Sequence, residues 1–302
     1  MNYIIIGGAG YIGSHFVNRL VEEGNNVAII DDLSTGSRLN SGAKFIKFDM
    51  RNKPDYNILK DFNAPFIIHL AGSPDIRKSF IEVENSFSTN VNTTINVMEL
   101  ARKLDAKKVL LSSSASVYGN AALIPTPETS PLVPISNYAF FKTLAENILR
   151  YYSYEYGVNS VAIRLMSVTG GNATKGLVYD IITKLRANRN QLEIWGDGKQ
   201  KRSYVYIQDV LDAIKHLLLN PTNAFEVFNI GSEDWTDIGS IIKLIEMRMG
   251  LNPTHKHIDV VGGQGDIGFN FIDITKINKF GWKPKLSSRE AISKSISDLI
   301  NK

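Results

Sequence analysis

The sequence predicts an α/β chain: a doubly wound parallel sheet, Rossmann-like in outline, with a smaller, interleaved C-terminal substrate domain. Three observations carry this. Up to about residue 165, short apolar runs alternate with amphipathic stretches, the rhythm of parallel strands joined by helical crossovers. A glycine repeat at Gly7, Gly10 and Gly13 lies between the first strand and the first helix. The rhythm breaks at Gly170-Gly171-Asn172.

Taken in order, the strands are expected at Tyr3–Ile6, Asn26–Ile30, Lys44–Phe48, Phe66–Leu70, Lys107–Ser113 and Ser160–Leu165. Helices are expected near 11–23, 57–62, 85–103 and 139–156. After the breaker come a helix near 177–188, a strand and tight turn over Leu192–Gly198, and a strand and helix over Tyr204–Leu219. Phe228–Gly231 is expected to rejoin the sheet, and helices near 237–249 and after Trp282-Lys283-Pro284 complete the chain. The division is therefore placed at 1–170 for the first domain and 171–302 for the second, with the strand near 228–231 returning to the first.

Length and composition narrow the function. The 302 residues suit about two domains at roughly 150 residues each. With 43% hydrophobic and 21% charged residues, the chain has ordinary globular usage rather than the composition of a disordered one. The absence of cysteine excludes disulfides, thiolate metal sites, iron–sulfur clusters and a cysteine nucleophile. Of the five histidines only His255 and His257 are close in sequence. They are expected on surface loops, and no metal site is expected. His69 is expected to pack at a strand end. The net charge of +4 is scattered, without the basic stripe that nucleic acid demands. There is no leader-like segment and no apolar run near the roughly 18 residues of a membrane helix. The expectation is a cytoplasmic protein with neither nucleic acid nor membrane as partner.

The glycine motif points to a dinucleotide. Gly7 permits a tight turn, Gly10 lets the backbone approach a pyrophosphate, and Gly13 lets helix and strand pack closely. The helix N-terminus offers free N–H groups and a positive dipole end. Asp31 closes the next strand, where a carboxylate accepts from the adenosine ribose hydroxyls and repels a 2′-phosphate, favouring NAD over NADP.

A chemical pair follows. Tyr138 and Lys142 are four residues apart, one turn along the same helix face. An ammonium beside a phenol, together with an oxidised nicotinamide, is expected to lower the Tyr pKa towards neutrality and make it a general base. Upstream, the run Leu111-Ser112-Ser113-Ser114-Ala115-Ser116-Val117-Tyr118-Gly119 lies at a strand end, where ligands of doubly wound folds bind. Ser114 is placed there to bond the substrate hydroxyl that Tyr138 deprotonates.

The G-x-x-G-x-x-G spacing resembles the extended short-chain dehydrogenases/reductases. The motifs together resemble the NAD-dependent sugar-nucleotide epimerase/dehydratase family over nearly the whole chain. That resemblance implies cofactor contacts from Tyr11 and Ile12 of the first turn, from the ribose loop Asp31-Asp32-Leu33-Ser34-Thr35-Gly36, and from the adenine pair Asp49 and Met50. It further implies contacts from Leu70, Ala71, Gly72 and Ser73, from Asn90 and Ser112, and from Met166 at the strand end that follows Arg164. Arg77, Ser116, Ser167 and Arg202 join Ser114 and Tyr138 as implied substrate contacts. Arg202 ends the loop Trp195-Gly196-Asp197-Gly198-Lys199-Gln200-Lys201-Arg202, where a forked guanidinium suits a diphosphate.

The residues following Ser114 choose between reactions. Dehydratases of the family carry an Asp-Glu pair there, and the decarboxylating branch a Glu; here stand Ala115 and Ser116, neither able to move protons at neutral pH. A base, a hydroxyl and NAD remain, the set sufficient for epimerisation. The resemblance therefore implies an NAD-dependent isomerase, with tightly bound, recycled NAD, that inverts carbon 4 of a nucleotide-diphosphate sugar of the UDP-glucose/UDP-galactose type through a 4-keto intermediate. Alternatives are an epimerase of another sugar or carbon (an N-acetylhexosamine, a uronic acid, the CDP-tyvelose type), a sugar-nucleotide reductase, or a non-catalytic NAD-binding protein. Three positions depart from the family pattern: Ser167 replaces an Asn, Gly263 in the segment Gly262–Asp266 replaces an Arg, and Pro74 stands where relatives are polar. A homodimer through the helices near 85–103 and 139–156 is also implied.

Overall fold

The structure, a computed structural model, describes residues 1–73, 75–258 and 267–301. Pro74 and the segment 262–266 lie outside the described residues. The chain divides into two compact units. One comprises residues 1–120, 131–164 and 213–228; the other comprises 121–130, 165–212 and 229–302.

In chain order the first unit begins with β1 (Asn2–Ile6), α1 (Tyr11–Glu22), β2 (Asn26–Asp31), β3 (Lys44–Lys47) and β4 (Phe66–His69). It continues through α2 (Ile76–Ile81), α3 (Val83–Phe87), α4 (Thr93–Lys103), β5 (Lys108–Ser114), α5 (Asn137–Tyr156) and β6 (Ser160–Leu165). There follow β7 (Ser167–Thr169), α6 (Leu177–Ala187), β8 (Gln191–Trp195), β9 (Lys201–Arg202), β10 (Tyr204–Tyr206), α7 (Ile207–Leu219) and β11 (Phe225–Ile230). The last elements are β12 (Thr236–Asp237), α8 (Ile238–Met249), β13 (Thr254–Ile258), β14 (Phe269–Asn270), α9 (Thr275–Lys279) and α10 (Ser288–Ile300).

Among the described residues seven strands form one sheet in the order β11-β6-β5-β4-β1-β2-β3. The pairs β1/β2, β1/β4, β2/β3 and β4/β5 are parallel. The chain builds outward from β1 in one direction, then crosses back to β4 and builds in the other, so the order reverses between β1 and β4. Ligands of such sheets bind at the carboxyl ends beside that reversal.

Burial explains why these segments are strands. Ile4 and Ile6, Ala28 and Ile30, and Val109 and Leu111 alternate onto one face, where they pack with Val97, Met98 and Ala101 of α4 and Ala145 and Leu149 of α5. Their alternates Ile5, Ile29, Ile68 and Leu110 are equally inaccessible. A sheet buried on both faces yields the continuous apolar runs seen in the sequence. Lys108 is also buried, and its ammonium donates to the carbonyls of Leu217 (2.9 Å) and Asn220 (2.6 Å). It thereby satisfies acceptors that the end of α7 leaves open.

The second unit gathers short sheets around its own core. β7 pairs with β10 and β8 with β13, both in parallel, and β9 lies between β12 and β14. Ile181, Ile182 and Leu185 of α6 pack with Ile241 and Ile245 of α8 and Ile292 and Ile296 of α10.

Three local expectations need correction. The helix near 57–62 is a single 3-10 turn, Tyr56–Leu59, opened by the Asp55 side chain accepting from the Asn57 N–H. The helix near 85–103 is interrupted by a wide π-turn at Ser88–Asn92. There Asn90 and Thr94 bond back to the carbonyls of Ser86 (2.9 Å) and Asn90 (2.5 Å), the back-bonding by which short polar side chains distort helices. His255 and His257 lie on strand β13, not on loops; pairing with β8 supplies the backbone bonds that their polar sequence concealed.

The buried sheet sets a stability contrast. Ile67→Ala, in the central strand β4 and fully buried, is expected to cost about 2–5 kcal/mol in urea unfolding. Ile81→Ala, 83% exposed, is expected to change stability by less than about 0.5 kcal/mol.

Candidate cofactor and active site

The β1–α1 turn is a backbone cradle. Gly7 sits at φ +80°, and a Cβ there would lie 2.6 Å from the Ala71 nitrogen. A Cβ on Gly13 would overlap the Gly7 carbonyl oxygen. Both are therefore required glycines: the first for its left-handed backbone, the second for the approach of helix to strand. Gly10 caps α1 without any side-chain bond to the helix N–H groups, so the first turn, with Tyr11 and Ile12, presents N–H donors to an anion.

Asp31 finishes β2 beside this turn. Its carboxylate accepts from the Ala9 N–H (3.0 Å) and the Leu33 N–H (2.8 Å), tying the glycine turn to the following loop. Each carboxylate oxygen keeps a further lone pair for a hydroxyl. Asp32 accepts from the Ser34 N–H (2.9 Å) and hydroxyl (2.6 Å), which shapes the loop through Thr35 to Gly36. Asp49 is held by Arg51 at 2.7 Å, and Met50 is buried. The side-chain hydrogen bond from Arg51, helped by its backbone N–H and its charge and opposed by burial, keeps the Asp49 carboxyl below its ordinary range.

The end of β4 closes the cradle. The Leu70 and Ala71 N–H groups donate to the Ile6 carbonyl at 2.8 and 3.0 Å, and Gly72 and Ser73 follow. A Cβ on Gly72 would lie 3.0 Å from both the Asn90 Oδ1 and the Lys142 ammonium. Asn90 is buried and its Oδ1 has no hydrogen-bond partner. The uncapped helix turn, Asp31, and this convergence of an unsatisfied acceptor with an ammonium over a glycine fit the phosphates and hydroxyls of a dinucleotide. His69, buried at the end of β4, meets the Thr94 hydroxyl at 3.1 Å. Burial, then the Lys142 charge, lowers its pKa to about 3, so it is neutral at ordinary pH.

Ser114 ends β5, Tyr138 lies in the first turn of α5, and Lys142 one turn beyond. Ser136 fixes that first turn by accepting from the Ala139 N–H (3.2 Å), and Ser79 of α2 accepts from the Tyr138 N–H (3.2 Å). Ser114 takes hydrogen bonds from the Ser116 hydroxyl (2.9 Å) and N–H (3.2 Å), leaving its own proton for the Tyr138 phenol, to which it is bonded. Lys142 donates to the Ser112 carbonyl at 2.9 Å. The structure thus brings Ser112, Ser114, Ser116, Tyr138 and Lys142 together.

The expected lowering of the Tyr138 pKa is not found in the chain by itself. Burial pushes the phenol up, opposed by the Ser114 hydrogen bond. Lys142 spends its charge on the Ser112 carbonyl and sits 6.0 Å from the tyrosine ring centroid. Burial lowers Lys142 itself to about 8, opposed by the charge of Glu146.

Arg77 lies on α2, exposed to solvent. Met166, Ser167 and Arg202 belong to the second unit. There Ser167, Arg202 and Tyr204 line a cavity of about 160 Å³ together with Lys175, Tyr179 and Ser295. Lys175 was not legible as a site residue, since a single loop lysine has no spacing to mark it. Glu146 has one faint signal in the sequence, its place one more turn along the Tyr138–Lys142 stripe. Arg164, at the strand end that Met166 follows, is buried against Glu146 at 2.7 Å.

The fold and cradle define a dinucleotide-binding oxidoreductive scaffold with a tyrosine–lysine pair at its strand ends. Residues 3–231 match the family model "NAD dependent epimerase/dehydratase family", and the chain belongs to that family; its cofactor is NAD. The UDP-glucose 4-epimerase of Mycolicibacterium smegmatis is 30% identical over 100% of this chain and 99% of its own. The solved UDP-glucose 4-epimerase of Thermotoga maritima, in complex with UDP-glucose, is 31% identical at a TM-score of 0.88, covering 100% of this chain and 99% of that one. The UDP-N-acetylglucosamine 4-epimerase of Methanobrevibacter ruminantium, in complex with UDP-N-acetylmuramic acid, is 27% identical at a TM-score of 0.89, covering 99% and 98%.

Asp31→Ala removes the acceptor for two backbone N–H groups of the cradle. The Kd for NAD, measured by titrating NAD-stripped protein, is expected to rise about ten-fold or more, as loss of charge-assisted bonds implies.

Proposed function

We propose that the protein inverts carbon 4 of a UDP-linked hexose of the glucose/galactose type, recycling its NAD within each turnover. The observation that carries this is the Tyr138 phenol, bonded to Ser114 at the end of β5 with Lys142 one turn away. Beside this base the chain offers no second acid–base pair after Ser114, where Ala115 and Ser116 stand.

NAD, which the Gly7–Gly13 turn and Asp31 would hold, would supply the reversible hydride chemistry that inversion at the sugar carbon 4 requires. The protein's own residues handle the proton and the handle. Tyr138 Oη takes the 4-hydroxyl proton and gives it back, so no net acid or base is consumed. Ser114 donates to that oxygen and steadies its anionic form. Lys142 adds positive charge one helical turn away, offsetting burial of the phenolate. Arg202 is assigned to the diphosphate, the grip that stays fixed while the sugar turns; binding energy placed far from the reacting carbon serves catalysis without holding the ketone. The named activities of the relatives support a UDP sugar, and the glucose/galactose type is the assignment proposed among the sugars those names span.

A homodimer is proposed through α3, α4 and α5, supported by the apolar side chains they expose: Phe87, Ile95, Phe140, Tyr151 and Tyr154. Large apolar side chains exposed on packed helices are the kind of surface that interaction sites use. Sedimentation at micromolar concentration is expected to give twice the chain mass; a species of chain mass rejects the dimer.

The reaction is tested by incubating the protein with UDP-galactose, UDP-N-acetylgalactosamine and UDP-galacturonate, following each by proton NMR without added cofactor. Interconversion is expected with UDP-galactose; conversion of only another sugar, or conversion only with added NADH, rejects the reading. Tyr138→Phe is expected to reduce kcat by about 10²–10⁴-fold while its NAD content stays at the wild-type level.

A further inference from the structure

Three residues of α5 lie one turn apart: Tyr138, Lys142 and Glu146. Each meets one of three consecutive serines of β5. Tyr138 meets the Ser114 hydroxyl. Lys142 meets the Ser112 carbonyl at 2.9 Å, and Glu146 meets the Ser113 hydroxyl at 2.5 Å. The first two contacts belong to the site already described. The third is buried behind it, with Ser113, Glu146 and Lys142 all 5% exposed or less.

Glu146 is clamped from the far side as well. Arg164 of β6 donates to its two carboxylate oxygens through Nε (3.1 Å) and Nη2 (2.7 Å), and through Nη1 to the Tyr118 hydroxyl (2.8 Å). Tyr118 ends the short 3-10 turn Ala115–Tyr118 that begins directly after Ser114. A fork-to-fork pair of this kind fixes geometry as well as charge. The ring of contacts runs from α5 to β6, on to the turn after Ser114, and back along β5 to α5.

We infer that Glu146 is a positioning residue: clamped by Ser113 and by Arg164, which Tyr118 holds in turn, it sets the seat of α5 on β5 and supplies the negative charge that keeps Lys142 an ammonium. The charge count supports it. Lys142 and Arg164 bring two buried positive charges and Glu146 one negative; removal of the Tyr138 proton makes the cluster neutral. Without Glu146 two cations would share a dry site, and the lysine is the one that can lose its proton. The groups surrounding Lys142 and Glu146 are Tyr138 on α5, His69 on β4, Arg164 on β6 and Tyr118 on the 3-10 turn. Of these His69 is already neutral, with a pKa lowered to about 3, and Arg164 stays charged throughout because, although burial opposes its charge, the hydrogen bonds and charge of Glu146 outweigh that penalty.

Two variants of the same pair separate this charge role from simple support. Lysine 13Cε signals are titrated in NAD-saturated protein, the Lys142 signal being identified by its loss in Lys142→Arg. Glu146→Gln is expected to move the Lys142 midpoint down by about one pH unit or more, and Arg164→Gln to move it up, as the sign of each lost charge demands. Loss of packing alone would move both the same way or neither. Either variant decides by itself should the other fail to fold: no downward shift in Glu146→Gln, or no upward shift in Arg164→Gln, overturns the inference. The consequence for turnover rests on the reaction proposed above, in which the alkaline limb of kcat shifts in the same directions. A wild type without turnover on any UDP sugar, with both midpoint shifts intact, overturns the reaction and supports the charge role.

Discussion

Parallel strand pairing is the constraint on which the first unit depends. Because β1, β2, β4 and β5 all run in one direction, Ile6, Asp31, His69 and Ser114 end at the same edge of the sheet. The loops that follow must meet there. The Gly7 N–H donates to the Ile30 carbonyl, and the Leu70 and Ala71 N–H groups share the Ile6 carbonyl, so backbone bonds carry the strand register into the cradle itself. A residue at Gly7 or Gly13 with a side chain would break this continuity, since the space its Cβ needs is already filled by backbone.

The second organising element is the seam between α5 and β5. Helical and strand periods differ, yet three turns of the one are matched to three residues of the other. This works because the partners alternate between side chain and backbone: Ser114 and Ser113 use their hydroxyls, and Ser112 its carbonyl. Burial is costly for every charged member of the seam. It raises the phenol of Tyr138 and lowers the ammonium of Lys142. The site therefore does not hold a ready-made phenolate. It holds a tyrosine whose deprotonation is compensated by neighbouring positive charge, in keeping with a proton that is taken and returned in one turnover.

Much of this was legible in the sequence because it rests on local rules. The strand and helix rhythm follows from burial on both faces of a parallel sheet, and the glycine turn from backbone crowding. The Tyr138–Lys142 pair follows from the pitch of a helix, and with Asp31 at the end of the second strand it points to a dinucleotide. The same local rules misled where side chains compete with the backbone. Asn90 and Thr94 widen a helix that apolar periodicity alone makes regular. His255 and His257 sit in a strand whose partner, β8, lies far earlier in the chain, with His255 opposite Leu192 and His257 opposite Ile194, and leaves no trace in their own composition.

What the sequence determined by itself is thus the sheet, the glycine turn and the pairing of Tyr138 with Lys142, all set by spacing within single elements. What only the tertiary structure decided is the electrostatic state of that tyrosine. Glu146, Arg164 and Tyr118 come from three separate elements, and nothing in their spacing announces that they close on one another. The direction of each pKa shift depends on burial and on the distance between charges, quantities that exist only once the chain has folded.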